Sequence, residues 1–139
     1  MKTTLNDVKF FNLKTIIESD GSLVPIESQI DVPFSIERVF YVYGVKKQND
    51  RGKHSHHKTK QVLICLNGEI IVKCDDGDKK NTWKLNKLNQ ALYIPEMIWD
   101  EQVYSTPDSV LLVFANTYYD ESDYITNYKE FKRLKKIDV

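Results

Sequence analysis

Three observations on this sequence predict an all-β domain, a sandwich or barrel closed at one end by a C-terminal helix. Short runs rich in β-branched and aromatic residues recur between Gly, Pro, Asn and Asp turn signals. Only the C-terminal stretch carries apolar residues at helical spacing. Within 139 residues, 41% hydrophobic and 12% aromatic content suit a single packed core. Residues 1–139 therefore read as one domain.

The elements follow in chain order. Val8 to Ile17 reads as a strand, Asp20-Gly21 as a turn and Ser22 to Glu27 as a second extended segment. After Pro33, Ser35 to Gly44 is a long extended stretch, and Asn49 to Gly52 is a loop. Gln61 to Leu66 and Glu69 to Cys74 flank Asn67-Gly68, the two-residue signal of a β-hairpin. In that register Cys65 faces Ile70 and Cys74 faces Gln61. That is too far apart along the strands for a disulfide, so both cysteines read as buried thiols. Further strands fall at Trp83 to Leu85, Ala91 to Ile94, Ile98 to Tyr104 and Ser109 to Ala115. From Asp120 to Ile137, Tyr124, Ile125, Tyr128, Phe131 and Leu134 recur at helical spacing. Acidic residues at its start and Lys132, Arg133, Lys135 and Lys136 near its end complement a helix dipole.

Twenty Lys and Arg against twenty Asp and Glu leave no net charge, which argues against a nucleic-acid partner. No apolar run approaches the roughly 20 residues of a membrane span, and the first residues lack the apolar core of a signal peptide. A cytoplasmic protein without a membrane partner is expected. The predicted hairpin is apolar on both faces, with Leu63, Cys65, Ile70 and Val72 on one and Val62, Ile64, Leu66 and Ile71 on the other. A simple sandwich strand alternates apolar with polar. The excess predicts a homodimer with intimate sheet contacts, in which the strand from Ser35 to Tyr43 can cross between subunits.

All three histidines fall within Arg51-Gly52-Lys53-His54-Ser55-His56-His57. In an extended chain His54 and His56 project to one side and His57 to the other. Two imidazoles side by side in a barrel are costly unless hydrogen-bonded, metal-bound or used in catalysis.

The spacing of His54, His56 and Gly68 resembles the first motif of the cupin family, a jelly-roll barrel of two antiparallel sheets. The resemblance implies a cupin-type barrel with a C-terminal helix. Where metal-binding cupins place their four ligands, this chain has His54, His56, Gln61 and Asp100, and a neutral Gln with no third imidazole is a poor set. No metal and no cofactor are expected. A narrower resemblance is carried by Phe34 to Val45, Arg51 to His56, Gln61 to Gly68, Leu92-Tyr93-Ile94-Pro95 and Tyr118 to Ile125. Together these are similar to the dTDP-4-keto-6-deoxyhexose 3,4-ketoisomerases over nearly the whole chain. His57 and Asp100 depart from the usual pattern, in which Lys and His respectively are common.

That resemblance implies an isomerase acting on a dTDP-linked 4-keto-6-deoxy sugar in deoxyaminosugar biosynthesis. It converts dTDP-4-keto-6-deoxy-D-glucose to a 3-keto isomer through an enediol. On this reading His56 carries the carbon-bound proton and His54 handles the oxygen proton or polarises the carbonyl, with Tyr43 a donor to the enolate oxygen. Arg51 and then Arg38 bind the diphosphate, Gln61 the sugar hydroxyls, and Tyr93 or Trp99 the thymine ring. The alternatives are a dTDP-4-keto-6-deoxyglucose 3,5-epimerase, which shares the Arg-Gly-x-His pattern, and a non-catalytic sugar-binding cupin.

Overall fold

The computed structural model describes residues 2–46 and 50–137. A short 3-10 turn, Leu5–Asp7, leads into β1 (Lys9–Asn12). The strands β2 (Ile16–Glu18), β3 (Gly21–Leu23), β4 (Arg38–Val42) and β5 (Asp50–His56) follow. Next come β6 (Gln61–Asn67), β7 (Ile70–Asp75), β8 (Lys80–Leu85) and β9 (Gln90–Ile94). The strands β10 (Trp99–Tyr104) and β11 (Val110–Ala115) precede a second 3-10 turn, Glu121–Asp123. The chain ends in β12 (Tyr124–Ile125) and α1 (Tyr128–Ile137).

Two antiparallel five-stranded sheets face each other, one in the order β1-β9-β6-β11-β4 and the other β12-β5-β10-β7-β8. This is the expected jelly roll with one C-terminal helix. Alternation sends Leu63, Cys65, Leu92, Leu111 and Val113 of the first sheet against Ile70, Val72, Cys74, Leu85 and Tyr104 of the second, forming the barrel interior. A separate apolar layer covers the outer face of the first sheet. There Leu13, Val32 and Phe34 pack on Val62, Ile64, Ala91 and Phe114. A third cluster, Trp99, Ile125 and Phe131, seats α1 on the outside of the second sheet.

Several sequence expectations are corrected. β6 and β7 do not pair; β6 lies between β9 and β11 and β7 between β8 and β10, so Asn67-Gly68 is a corner between sheets, not a hairpin. Cys65 and Cys74 are free and buried, but they sit in different sheets instead of in one hairpin register. The two-sided apolar character of β6 is satisfied within the chain by its own N-terminal segment. Asp50 to Gly52 belong to β5 and are not loop, while Asn49 lies outside the described residues. The stretch from Val8 to Ile17 splits at Leu13 into β1 and β2.

The expected helix from Asp120 also starts later. Asn127 accepts the Glu130 N–H at 3.0 Å and caps α1, because the preceding residues are drawn into a strand pair with β5.

The corner demands glycine. Gly68 has φ +77°, and a Cβ there would lie 2.9 Å from the Ser109 Cα. Gly68→Ala should lower the unfolding free energy by about 2 kcal/mol or more, read by chemical denaturation.

Candidate active site

β5 carries an irregularity on which the site depends. Pairing with β10 sets Asp100 opposite His54, Glu101 opposite Gly52 and Gln102 opposite Arg51, so Lys53 is an extra residue. This is a β-bulge, with Gly52 at φ +81° and Lys53 at φ +54°. Without it, Arg51 and His54, three apart, would face opposite sides of the sheet. With it, Arg51, His54 and His56 all turn inward, in line with Asp100 and Gln102 across the strand.

The two imidazoles meet edge to face with ring centroids 5.0 Å apart. Tyr124, brought opposite His56 by β12, packs on both, at 5.1 Å from His54 and 4.4 Å from His56. Each ring is anchored through Nδ1. His54 Nδ1 donates to the Gly52 carbonyl at 3.0 Å, and His56 Nδ1 to Asp123 Oδ2 at 3.0 Å. Both rings are thus held in the tautomer that leaves Nε2 as the free acceptor. The His56 Nε2 is buried without a hydrogen-bond partner.

Asp123 is a well-supported orienter. It also accepts from the Lys58 N–H at 2.8 Å and from the Thr59 hydroxyl. Burial pushes its carboxyl up, but hydrogen bonds from Thr59, Lys58 and His56 outweigh this and hold it below the usual carboxylate range. His56 moves the other way. Burial and the neighbouring His54 and Arg38 pull the imidazole down to about 4, against the opposing pull of Asp123. At neutral pH it is therefore an uncharged base. Buried Asp100 is pushed up to about 6 by desolvation, opposed by His54 and by a hydrogen bond from Gln102.

A cavity of about 180 Å³ opens over these groups, lined by Arg51, His54, Gln61, Gln102, Tyr124 and apolar residues of β4 and β11. It has room for a sugar ring but not for a nucleotide as well. Among the described residues, no three His, Cys, Asp or Glu side chains are grouped as metal ligands.

Comparison with known proteins shows the family. Residues 6–136 match the family model described as FdtA: WxcM-like, C-terminal. The chain belongs to that family. It is an isomerase, 44% identical over 132 residues to the TDP-4-oxo-6-deoxy-alpha-D-glucose-3,4-oxoisomerase of Aneurinibacillus thermoaerophilus, covering 94% of this chain and 95% of that one. The sugar 3,4-ketoisomerase QdtA of Thermoanaerobacterium thermosaccharolyticum, in complex with TDP, superposes with a TM-score of 0.91 at 43% identity, covering 96% of this chain and 97% of that one. A mutant of QdtA in complex with TDP-4-keto-6-deoxyglucose matches with a TM-score of 0.92 at 41% identity, covering 97% and 98%. The epimerase NovW of Streptomyces spheroides, at 13% identity and a TM-score of 0.72, covering 84% of this chain and 67% of that one, shares the fold alone. These relatives favour the ketoisomerase reading over the epimerase and binding-module alternatives.

Within this ketoisomerase-family barrel, the residues singled out from sequence divide into two groups. His54, His56, Arg51 and Gln61 converge, and His57 is exposed on the other side. Arg38 also turns inward, its Nε buried without a hydrogen-bond partner, with the guanidinium 5.5 Å from the Phe40 ring and 5.8 Å from that of Tyr119.

Three aromatics lie elsewhere. Tyr43 follows β4 with its ring 70% exposed and stacked on Tyr41, because the even-numbered face of that strand turns inward, not the odd one. Tyr93 faces outward from β9, 6.4 Å from Phe34. Trp99 faces outward from β10 beneath α1, 5.7 Å from Phe131. Sequence reasoning missed Asp123 and Tyr124, having placed both in the helix; the short strand β12 is what brings them to the histidines.

The two buried titratable groups oppose each other in the pH dependence of stability. His56 holds fewer protons when folded, so its contribution is present above about pH 6.5 and lost as pH falls toward 4. Asp100 holds more, so its contribution is present below about pH 3.8 and lost as pH rises toward 6. Each is on the order of 3 kcal/mol at most. Between about pH 4 and 6 they largely cancel. In His56→Asn the stability should therefore fall as pH rises across that window, as denaturation at a series of pH values would show.

Proposed function

We propose that this chain is a metal-free 3,4-ketoisomerase that converts dTDP-4-keto-6-deoxy-D-glucose to a 3-keto isomer. The observation that carries the proposal is the pair of adjoining imidazoles, each anchored through Nδ1 so that Nε2 is left as an acceptor, with His54 lining a small cavity and His56 directly behind it. Nothing more is needed for tautomerisation. One base takes the C3 proton and returns it at C4, and another group moves a proton from the C3 oxygen to the C4 oxygen.

Position divides the labour. His54 lines the cavity, whereas His56 sits behind it against Asp123. That exchanges the roles assigned from sequence. His54 takes the carbon-bound proton, and His56, whose imidazolium form Asp123 would stabilise, relays the oxygen proton. Arg38, an inward cation without a partner for Nε, supports the developing enediolate. Arg51, exposed at the mouth, is placed for the diphosphate, which must lie outside the cavity, and Gln61 is placed for sugar hydroxyls.

Tyr119 replaces Tyr93 and Trp99 as the surface for thymine. It is 66% exposed, 5.8 Å from Tyr124, and packed against Arg38. A homodimer fits the remaining exposed apolar surface. The β2–β3 pair leaves Ile17 and Leu23 bare, and the edge strand β4 leaves Val39 and Tyr41 bare. Exchange of such segments between subunits would cover both. Two free thiols suit a reducing cytoplasm. No helix among the described residues is long and apolar enough to cross a membrane.

Incubation with dTDP-4-keto-6-deoxyglucose in D₂O, followed by NMR, tests the activity. A 3-keto product labelled at C4 is expected; an unchanged spectrum would overturn the proposal, and label at C5 would identify an epimerase. His54→Asn should lower turnover by about 10²–10⁴-fold. Tyr119→Ala should raise KM several-fold while leaving kcat within about twofold, by steady-state kinetics.

A further inference from the structure

Asp100 is the buried ionisable group beside the histidines for which the reaction above has no use. It lies directly opposite His54 in the β5–β10 register, with its side chain inside the barrel and 3% of the residue exposed. One of its oxygens is accounted for. The Tyr104 hydroxyl donates to Gln102 Oε1 at 3.1 Å, which turns the Gln102 amide nitrogen toward Asp100, and the two side chains are hydrogen-bonded. The other oxygen, Oδ2, is buried with no hydrogen-bond partner. A carboxylate in that state is expensive to keep unless a positive charge arrives beside it.

Of the groups around it that can become positive, His54 is the one directly opposite. On β5 it faces His54, with His56 next along the strand; on β7 it faces the buried Cys74 thiol, which it pushes further up. On its own strand lie Gln102, Tyr104 and, on the outer face, Glu101, which pushes the Asp100 carboxyl up. Arg51, the cation paired across from Gln102, sits at the mouth. His54 is therefore the group whose charge state Asp100 senses directly.

We propose that Asp100 is a positioning residue for His54, its buried carboxylate balancing the charge that His54 carries while it holds the sugar's carbon-bound proton. This rests on the ketoisomerase reading with His54 as the carbon base. In the step concerned, the C3–H bond breaks, its proton goes to His54 Nε2 and its electron pair enters the enediolate. Imidazolium and enediolate thus appear together, and both vanish when the proton is returned at C4. Asp100 forms and breaks no bond. Its negative charge lowers the energy of the imidazolium and so of the intermediate.

The test is Asp100→Asn, which keeps shape and hydrogen-bonding capacity but removes the charge. In the ligand-free protein, the His54 ring titration followed by ¹⁵N–¹H NMR should move to lower pH by about half a unit or more. With the ketosugar, kcat should fall about 10–100-fold at nearly unchanged KM, with the acid limb of the pH profile moved the same way. An unmoved His54 titration overturns the proposal whatever the activity does. The ligand-free arm thereby separates it from failure of the ketoisomerase reading, which only the ketosugar arm would reveal.

Should the variant not fold, ¹³C NMR of the wild-type Asp100 carboxyl decides instead. A two-step curve with one step at the His54 midpoint supports the pairing, and a single carboxylate step overturns it.

Discussion

A single extra residue in β5 is the constraint on which the functional site rests. Strand alternation allows residues two apart to share a face and forbids it to residues three apart. The Gly52–Lys53 bulge breaks that rule once, so that Arg51 at the mouth and His54 within are both turned inward. The backbone there must enter the left-handed region at two successive residues. Gly52 does so without steric strain, and a Cβ on it would meet the Asp100 carbonyl oxygen at 3.2 Å. The same turn aims the Gly52 carbonyl at His54 Nδ1, so the device that positions the imidazole also selects its tautomer.

Around this point an apolar barrel holds an unusual density of polar groups. His56, Gln61, Asp100 and Gln102 are all buried within it. Such groups persist in a core when each polar atom finds a partner. Among the described residues the exceptions are His56 Nε2, Asp100 Oδ2 and Arg38 Nε, on side chains that turn inward, and Ser55 Oγ on the other face of β5. Unsatisfied donors and acceptors gathered close to a cavity are what binding of a polar substrate can compensate. The second sheet thus combines a scaffold role with a chemical one: Ile70, Val72 and Cys74 of β7 fill the core, while β5 and β10 carry the reactive side chains beside them.

Much of the fold was legible because local rules and tertiary packing agree. Turn residues separated the strands, and the shared inward face of His54 and His56 followed from their parity. Disagreements arose where one local pattern suits two tertiary outcomes. Asn67-Gly68 has the chemistry of a hairpin turn, yet it also serves a corner, because both need positive φ at the glycine and nothing local says which sheet the next strand joins. Tyr124 and Ile125 continue the apolar spacing of α1, but pairing with Ser55 and His56 overrides that periodicity. Tyr93 and Trp99 are aromatic residues of inward-reading strands whose parity, set by pairing, turns them outward.

By itself, then, the sequence determined the all-β class and the inward-facing pair His54 and His56. Motif resemblance carried it to the ketoisomerase family. These follow from spacing along the chain, which short-range geometry translates directly into faces and turns. Only the tertiary structure decided that Asp123 and Tyr124 close on the histidines, that the N-terminal segment covers the outer face of β6, and that Asp100 lies opposite His54. Those are contacts between residues dozens of positions apart. They are fixed by which strands pair and in what register, a choice made by burial of the whole core and not written at either residue alone.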